Sequence, residues 1–575
     1  MPETRAGLFE TLRRDGGFDV VVVGGGINGI GVFRDLALQG LRVLLVERQD
    51  FCSGCSAAPS RMIHGGLRYL ENGEFDLVRE SLRERDALLR NAPHLVHPLA
   101  TTIPITSVWS GLLNGVGNFL GRASRPADRG AVTVKVGLSI YDWVSRKHRA
   151  LPKHRFLGAR ETFRRWPELN PQVRFSAVYH DAWISHPERL GLELILDTHR
   201  LADRAVALNY AEISPDGSGF VVTDRETGNR YPLTTRAVVN ATGAWVDDSL
   251  AGLVDRVEAP ERLVSGTKGS HLVIDSRQLH DALDGHMLYF GNSDGRVCIV
   301  FGYLGKVLAG STDIKVDRAE RVRCDADECA YILESLRLIY PAIEVSADHV
   351  VFSYSGIRPL PTSDHHLPGR ITRGHFVRRI DAAVPHFCMV GGKWTTFRSF
   401  AEHTADEVLA ELGRPRTTGT MDLAIGGGKG YAGAALMESE LVRSFGVTAQ
   451  RAAYLVGVYG TRAAEVMAFC GARPDDQPLG DGIELTAAEV GFLARSELTV
   501  RLDDLILRRT SLAITGTVDT GLIEAVASVA GDELGWDESR VRAEIEQLVA
   551  DLERYHGVGR DTLDRRLNER NATCG

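Results

Sequence analysis

The chain has 575 residues with 44% hydrophobic and 25% charged side chains, which is too long for one core and predicts about two to four domains. Its net charge of −8 excludes a nucleic-acid partner held by bulk charge, and its eight cysteines are too few for a disulfide scaffold. No apolar run reaches the roughly eighteen residues of a spanning helix, and residues 1–17 carry acids where a signal peptide has an apolar stretch. We therefore expect a cytoplasmic protein.

Residues 18–47, FDVVVVGGGINGIGVFRDLALQGLRVLLVE, predict a strand, a glycine turn, a helix and a second strand. Gly24, Gly26 and Gly29 form the G-x-G-x-x-G pattern, in which the turn and the helix N-terminus accommodate a pyrophosphate. Glu47 ends the second strand, where a carboxylate can accept hydrogen bonds from ribose hydroxyls and would repel a 2′-phosphate. The unit predicts dinucleotide binding and leaves FAD and NAD open.

The next loop contains the C-x-x-C pair Cys52 and Cys55. Such a pair can be a redox couple or half of a metal site, or simply two small residues in a Ser/Gly/Ala-rich loop. Because no second C-x-x-C or histidine pair completes a zinc site, and Cys324 and Cys329 are spaced differently, we favour the last interpretation.

Residues 74–90 predict an amphipathic helix with Arg83 and Glu84 largely off its apolar face. Residues 105–121 then carry no charge, and basic residues follow them up to residue 149. This stretch is either a buried glycine-rich connection or an interfacial segment, with Trp109 at lipid headgroups and the basic residues facing anionic lipid. Both interpretations stay open.

Short strands and turns follow. Turn sequences at residues 215–217 and 226–229 predict hairpins, and AVVNATGAW at residues 237–245 predicts a strand that ends close to a bound dinucleotide. Strands at residues 271–274, 297–301 and 306–312 indicate an inserted antiparallel sheet. Past about residue 415 the pattern becomes helical, with apolar residues at helical spacing near the end, namely Val541, Ile545, Leu548 and Leu552.

Four basic clusters lie among glycines and apolar strands: IHGGLRYLE (63–71), KGSHLV (268–273), YSGIRPLP (354–361) and VGGKWTTFR (390–398). Arg373 lies between the last two. A buried cation needs an anionic partner, which for any single residue is most simply an internal carboxylate. Four such clusters beside a dinucleotide motif favour an anion site, and a phosphate suits the arginine fork.

The motifs GGGINGIG, IHGGLRYLENGEF, NATGAW, KGSH, YSGIRPL, ITR and GGKWTTFR, in this order, closely resemble the FAD-dependent glycerol-3-phosphate dehydrogenases, which are D-amino-acid-oxidase-like flavoproteins. The resemblance covers residues 18–412 and continues more weakly into the tail at DLILRRTSL (504–512). It implies an α/β fold with three parts: a Rossmann-type FAD-binding domain (18–105, 187–258 and 350–412), an inserted antiparallel-sheet substrate domain (106–186 and 259–349), and a C-terminal all-helical domain (416–575).

The resemblance also implies roles for residues. Non-covalent FAD would be held by Gly24, Gly26, Asn28, Gly29, Glu47, Ser60, His64, Gly65, Gly66, Gly243, Gly391, Gly392, Lys393 and Thr395. The substrate phosphate or its neighbouring hydroxyls would be bound by Arg68, Tyr69, Arg373 and Lys393. His271 is the first candidate base and His64 the second, and Arg358 would orient the hydroxyl and stabilise charge on its oxygen. No metal is expected.

The implied reaction is oxidation of sn-glycerol 3-phosphate to dihydroxyacetone phosphate by hydride transfer from C2 to FAD, with electrons passed to membrane quinone. A homodimer in peripheral contact with the inner face of the cell membrane is expected. Two departures from the family pattern, the loop CSGCSAAPSRM before IHGG and Gly374-His375 after ITR, lie near the expected substrate pocket. They leave another polyol phosphate, such as erythritol phosphate, as an alternative.

Three further alternatives stay open. One is an oxidase that passes electrons to oxygen, and another is an amine or amino-acid oxidase of the same superfamily. The third belongs to a different class, a non-catalytic FAD-binding sensor. The sequence contains no EF-hand loop, which argues against a calcium-regulated mitochondrial form.

Overall fold

The structure is a computed structural model that describes residues 4–66, 74–107, 131–144, 151–217, 219–254, 262–292, 294–362, 374–473 and 476–573. Its strands are β1 (Gly17–Val23), β2 (Val43–Val46), β3 (Met62–Ile63), β4 (Val96–Ile105), β5 (Arg155–Gly158), β6 (Phe175–Ile184), β7 (Ala205–Leu208), β8 (Ala211–Asp216), β9 (Gly219–Asp224), β10 (Arg230–Asn240), β11 (Val264–Ile274), β12 (Met287–Gly291), β13 (Val297–Tyr303), β14 (Lys306–Gly310), β15 (Ile314–Val316), β16 (Val350–Pro361), β17 (Phe376–Ile380) and β18 (His386–Val390).

The helices are α1 (Arg5–Asp15), α2 (Ile27–Leu38), α3 (Phe75–Asn91), α4 (Ala131–Val144), α5 (Ala159–Arg165), α6 (Pro187–Leu201), α7 (Val246–Leu253), α8 (Arg277–Ala282), α9 (Ala326–Ile339), α10 (Phe397–Glu411), α11 (Ala434–Phe445), α12 (Ala449–Tyr459), α13 (Ala463–Gly471), α14 (Ala487–Ser496), α15 (Thr520–Leu534), α16 (Glu538–His556) and α17 (Arg560–Thr573). A π-helical turn spans Asp504–Arg509. None of these described helices is both long and apolar enough to cross a membrane.

The first sheet has the strand order β17-β18-β10-β1-β2-β7, in which β18, β10, β1, β2 and β7 run parallel. The second half of its central strand β1, Val20 to Val23, is wholly apolar because helices cover the sheet, and Val20, Val21 and Val22 are fully buried. Helices α2, α6 and α10 share one core with it. The predicted strand–helix–strand unit is confirmed, and so are the two hairpins, which join β8 to β9 and β9 to β10.

The second sheet has the order β15-β11-β14-β13-β12-β4-β6-β3, with β16 along β11 and β5 along β6. The predicted strands at residues 271–274, 297–301 and 306–312 are confirmed as parts of β11, β13 and β14. Strands β4 and β16 also pair in this second sheet, although they lie in the segments 18–105 and 350–412 that are expected to form the FAD-binding domain. An alternating apolar pattern identifies a strand but does not identify its partner, so the sequence could not assign these two.

The C-terminal helices share a core with the second sheet. Leu548 and Leu552 of α16 are buried, as the helical spacing predicted, while Val541 and Ile545 are partly buried. The same core contains residues of the second sheet, namely Leu99, Val273, Met287, Ile299, Phe301, Tyr303, Leu308, Phe352 and Tyr354.

A buried ion pair joins helix α6, which packs on the first sheet, to the C-terminal helical part of the chain. Arg189 of α6 forms two bonds of 2.6 Å to the carboxylate of Glu497, and the side chains are 1% and 0% exposed. Two guanidinium–carboxylate bonds in this parallel geometry are strong, but the desolvation of both charges offsets much of the gain.

We expect Arg189→Ala to destabilise the protein by about 3–5 kcal/mol because it leaves the Glu497 carboxylate buried without its bidentate partner. The matched control is Arg200→Ala, which removes an exposed pair between the same helix α6 and Glu465 and should change stability little. Midpoints of thermal unfolding measure both. Equal decreases in the unfolding midpoint of the two variants would contradict the explanation that the loss of stability comes from the burial of Glu497.

Candidate functional site

The glycine turn between β1 and α2 leaves no room for side chains. Gly24 has a φ of +106°, and a Cβ added to Gly29 would overlap the carbonyl oxygen of Gly24. Gly26 is the N-cap of helix α2 and offers no side-chain cap, and the N–H of Ile27 donates to the Ser56 hydroxyl at 3.0 Å. The turn and the helix N-terminus therefore fit a pyrophosphate group, as the sequence predicts.

Glu47 lies at the end of β2, directly beside this turn. Its carboxylate accepts the N–H of Gly25 at 2.7 Å and that of Gln49 at 2.8 Å. Burial raises the pKa of Glu47, and the two backbone donors oppose the rise. The carboxylate is thus held against the glycine turn, in the place expected for a ribose ligand.

Asn28, Gly391 and Gly392 come together although 363 residues separate the first two. The Asn28 amide donates to the Gly391 carbonyl at 3.5 Å, and a Cβ on Gly392 would overlap that amide. Gly391 and Gly392 have φ values of +84° and +102°, which explains glycine at both positions. Trp394, in the following turn that also contains the buried Thr395, donates to the Ser56 carbonyl at 3.1 Å.

His64, Gly65 and Gly66 follow β3, and Gly66 has a φ of +80°. The N–H of Gly65 donates to Asp181 at 2.8 Å, and a Cβ on Gly65 would overlap the Tyr141 hydroxyl. Asp181 in turn accepts bonds from that hydroxyl and from a buried arginine, Arg85, each at 3.0 Å. Sequence reasoning missed this supporting network because its members come from α3, α4 and β6.

Ser60 and His271 form a hydrogen-bonded pair, with 2.8 Å between the serine Oγ and the histidine Nε2. The imidazole is 1% exposed and stacks on Tyr354 of β16, with 5.0 Å between ring centroids. Its Nδ1 is buried with no hydrogen-bond partner among the described residues. Burial, followed by the nearby Arg358 and Arg61, lowers the pKa of His271 well below its usual value, so the ring is neutral near pH 7. The sequence had placed Ser60 beside the flavin without pairing it to His271.

Arg358 lies on β16, and its guanidinium covers β11 at Gly269, where any Cβ would overlap it. It donates to the Ser311 hydroxyl at 2.9 Å, and to the Thr312 carbonyl and the Asp313 carboxylate at 3.2 Å each. These three acceptors lie between β14 and β15 and fix the guanidinium close to His271. The structure thus brings the two predicted catalytic residues together.

The basic clusters differ in what they contact. Lys268 pairs with Asp325 and Glu328, and Arg398 pairs with Glu84 and Glu402, so both cations are balanced internally. Glu84 is predicted to lie largely off the apolar face of its helix, but the structure buries it against Arg398. Lys393 donates to the Ser81 hydroxyl at 2.9 Å. The predicted phosphate ligands Arg68, Tyr69 and Arg373 lie outside the described residues.

His375, at the second departure from the family pattern, lies beside the Gly391 turn. Its Nε2 is 3.5 Å from Glu80 of α3, and its ring packs on Phe400. Burial lowers the pKa of His375, Glu80 opposes the decrease, and Lys393 adds to it. The sequence identified this position as unusual but gave no signal for the partner Glu80.

Two remaining predictions concern Gly243 and the cysteines. Gly243 begins a 3₁₀ turn directly after β10, with a φ of +62°. Cys52 and Cys55 are unbridged, and burial raises the pKa of both thiols, which disfavours the reactive thiolate. Within the described ranges, no group of three or more His, Cys, Asp or Glu could hold a metal ion.

The comparisons with known proteins agree with this geometry. The model of the FAD-dependent oxidoreductase family matches residues 19–406, and that of the C-terminal domain of alpha-glycerophosphate oxidase matches residues 418–541. A glycerol-3-phosphate dehydrogenase of Synechocystis is 33% identical over 94% of this chain and 96% of its own length. The aerobic glycerol-3-phosphate dehydrogenase of Escherichia coli is 30% identical over 86% of this chain and 93% of its own.

A solved structure has the same fold. The X-ray structure of the glycerol-3-phosphate dehydrogenase from Bacillus halodurans complexed with FAD matches with a TM-score of 0.74. The match covers 96% of this chain and 98% of that one at 23% identity.

We expect Gly29→Ala to abolish flavin binding, because the new methyl group overlaps the Gly24 carbonyl and pushes α2 away from β1. The matched control is Gly457→Ala in the interior of α12, where a Cβ meets nothing and a better helix former replaces glycine. Flavin absorbance per mole of purified protein measures both. A Gly29→Ala protein that retains full flavin would contradict the assignment of the turn.

Proposed function

Because the chain belongs to the FAD-dependent oxidoreductases, within the family of the glycerol-3-phosphate dehydrogenases, and has FAD as its cofactor, we propose that it oxidises sn-glycerol 3-phosphate to dihydroxyacetone phosphate. The observation that carries the proposal is the identity of 33% to a glycerol-3-phosphate dehydrogenase along nearly the whole of both chains. The close placement of Ser60, His271 and Arg358 supports it.

The chemistry that FAD supplies when bound is acceptance of a hydride from C2 of the substrate. The proton of the C2 hydroxyl must leave as well, and His271 is neutral and can accept it. Ser60 is the more exposed member of the pair, so the proton passes to His271 Nε2 through Ser60 Oγ. His64 remains the second candidate base.

Arg358 stays protonated and cannot act as the base. Held by Ser311 and Asp313, it orients the substrate hydroxyl and stabilises negative charge that develops on the oxygen. Lys393 contributes to the site for the phosphate and its neighbouring hydroxyls, together with the predicted ligands Arg68, Tyr69 and Arg373.

The electron acceptor in this proposal is a membrane quinone, reached from a homodimer in peripheral contact with the inner face of the cell membrane. A second candidate function is an oxygen-using glycerol-phosphate oxidase. It is favoured by one observation, the match of residues 418–541 to the C-terminal domain of an oxidase. His375 beside the Gly391 turn keeps a second polyol phosphate as an alternative substrate.

Anaerobic mixing of the purified yellow protein with a panel of phosphorylated polyols tests the substrate. We expect glycerol 3-phosphate to bleach the flavin absorbance, because reduction removes the oxidised chromophore. If only another polyol phosphate bleaches the flavin, the proposed substrate is wrong but the proposed hydride transfer stands. If no polyol phosphate of the panel bleaches it, the proposed enzymatic activity is contradicted. Peroxide release in air, compared with reduction of a soluble quinone, then distinguishes the oxidase from the dehydrogenase.

We expect Ser60→Ala and His271→Gln each to lower kcat by about 100-fold or more, because each interrupts the same proton transfer. The double variant should lose little more than either single one, since residues that act as a unit are not additive. Ser353→Ala is the matched control, because it removes a hydroxyl of the adjacent strand β16 that contacts His556 instead. If the fold-decrease in kcat of the double variant equals the product of the two single decreases, Ser60 and His271 do not act as one proton-transfer unit.

A further inference from the structure

The loop from Glu47 to Cys52 determines where the predicted ribose ligand lies. Its start is fixed to the first sheet by the bond from the Glu47 N–H to the Leu208 carbonyl, at 2.8 Å. Its end is fixed to the glycine turn by the bond from the Cys52 N–H to the Gly25 carbonyl, at 2.9 Å. Between these two points the loop carries Asp50, whose side chain is fully buried.

The π-helical turn of the C-terminal part supplies the cations that contact Asp50. Arg509 donates to both carboxylate oxygens, from Nη1 at 2.5 Å and from Nη2 at 2.9 Å, and Arg508 Nε donates at 2.5 Å. Asn209, which follows β7, donates to the same carboxylate at 3.1 Å. Three donors from two distant parts of the chain thus hold one loop residue.

A second carboxylate completes the arrangement. Asp504 accepts the Tyr210 hydroxyl and Arg508 Nη2, each at 2.6 Å, and also the N–H of Val500 at 2.8 Å. We call Asp50, Asn209, Tyr210, Asp504, Arg508 and Arg509 the Asp50 cluster. Asp503, outside the cluster, also accepts Arg508 Nη2 at 2.9 Å, and burial, followed by the neighbouring Asp50, raises the pKa of Asp504 to about 7.

The geometry of the turn is unusual and local. A π-helical turn is rare, and single turns of this kind occur mostly at functional sites. This one places two consecutive arginines on a single buried carboxylate.

The charge on Asp50 is retained despite its burial. Burial alone would raise the pKa of Asp50, but the Arg509 and Arg508 guanidiniums outweigh it and hold the pKa below its usual value. A buried ion network of this kind adds little net stability compared with an apolar core, yet its fixed geometry restricts the residues that form it. Restricting Asp50 restricts Glu47, three residues earlier.

We propose that the C-terminal helical part sets the FAD affinity of the protein, with Arg508 and Arg509 acting as positioning residues that hold the Glu47 loop through Asp50. The hydrogen bonds of both arginines go to Asp50, Asp503, Asp504 and the Glu497 carbonyl, so the effect reaches the glycine turn through the loop. The inference rests on FAD as the cofactor and is independent of which polyol phosphate is oxidised.

The test compares Arg509→Lys with Arg451→Lys. The first retains the charge and loses the two-pronged bond to Asp50. The second changes a similarly buried pair, Arg451 with Glu489, which lies within the C-terminal helices and away from the Glu47 loop. Each holoenzyme is diluted, and the fluorescence of released flavin gives the FAD Kd, while thermal unfolding gives Tm with and without added FAD.

We expect Arg509→Lys to raise the FAD Kd about tenfold, and Arg451→Lys to lower Tm without changing the Kd. Because FAD binding stabilises the folded state, the increase in Tm on adding FAD should shrink for Arg509→Lys alone. An unchanged Kd in Arg509→Lys, or equal increases in both variants, would overturn the proposal. If Arg509→Lys does not yield folded protein, Tyr210→Phe takes its place, because it removes one hydroxyl from the Asp50 cluster. An increased FAD Kd in that variant would support the proposal, and an unchanged Kd would overturn it.

A double-variant cycle tests the path through Glu47. Glu47→Gln should itself raise the FAD Kd, and adding Arg509→Lys to it should raise the Kd by a smaller factor than in the unmodified chain. If Arg509→Lys raises the FAD Kd by the same factor with and without the Glu47→Gln substitution, Arg509 does not act through Glu47 and the proposed path is overturned. None of these measurements uses a substrate, so a wrong assignment of the polyol phosphate does not affect them.

Discussion

Helix α2 packs so closely on strand β1 that no side chain fits between Gly29 and the Gly24 carbonyl, and the rest of the site is positioned from this contact. The N-terminus of α2 receives the Ser56 hydroxyl, Asn28 on its first turn touches Gly391, and the turn before it holds the Glu47 carboxylate. The loop that contains Glu47 and Ser56 and the distant Gly391 turn therefore converge on one helix end. The positive end of the helix dipole lies at the same place.

The proposed reacting groups come from the second sheet. His271 and Arg358 lie on the adjacent antiparallel strands β11 and β16, while the glycine turns belong to the first sheet and the segments that follow its strands. Ser60, in the loop before β3, bridges the two by its bond to His271. These two paired strands thus present the proposed base and cation, while most of the residues predicted to hold the cofactor belong to the first sheet and its loops.

The sequence predicted what its local pattern determines. The strand–turn–helix–strand unit around Gly24 was predictable because all its determinants lie within about thirty residues. The pairing of Ser60 with His271, 211 residues apart, and of Glu84 with Arg398, 314 residues apart, left no local signal. From sequence alone, a charged residue is expected at the surface, and only a known partner of opposite charge indicates that it can be buried. For the same reason the sequence could not show that Lys268 is balanced internally, or that β4 and β16 pair in the second sheet.

The shared core between the C-terminal helices and the second sheet has a consequence for how the protein is assembled. Phe301, Phe352 and Leu308 pack in the same cluster as residues of α12, α14 and α15. The boundary between the two family matches, at residues 406–418, therefore separates two parts of the chain that share one core. A chain released before its last helices are made would expose Val273, Phe352 and the other apolar residues of this face to water, so the second sheet reaches its native packing only when the C-terminal helices have docked.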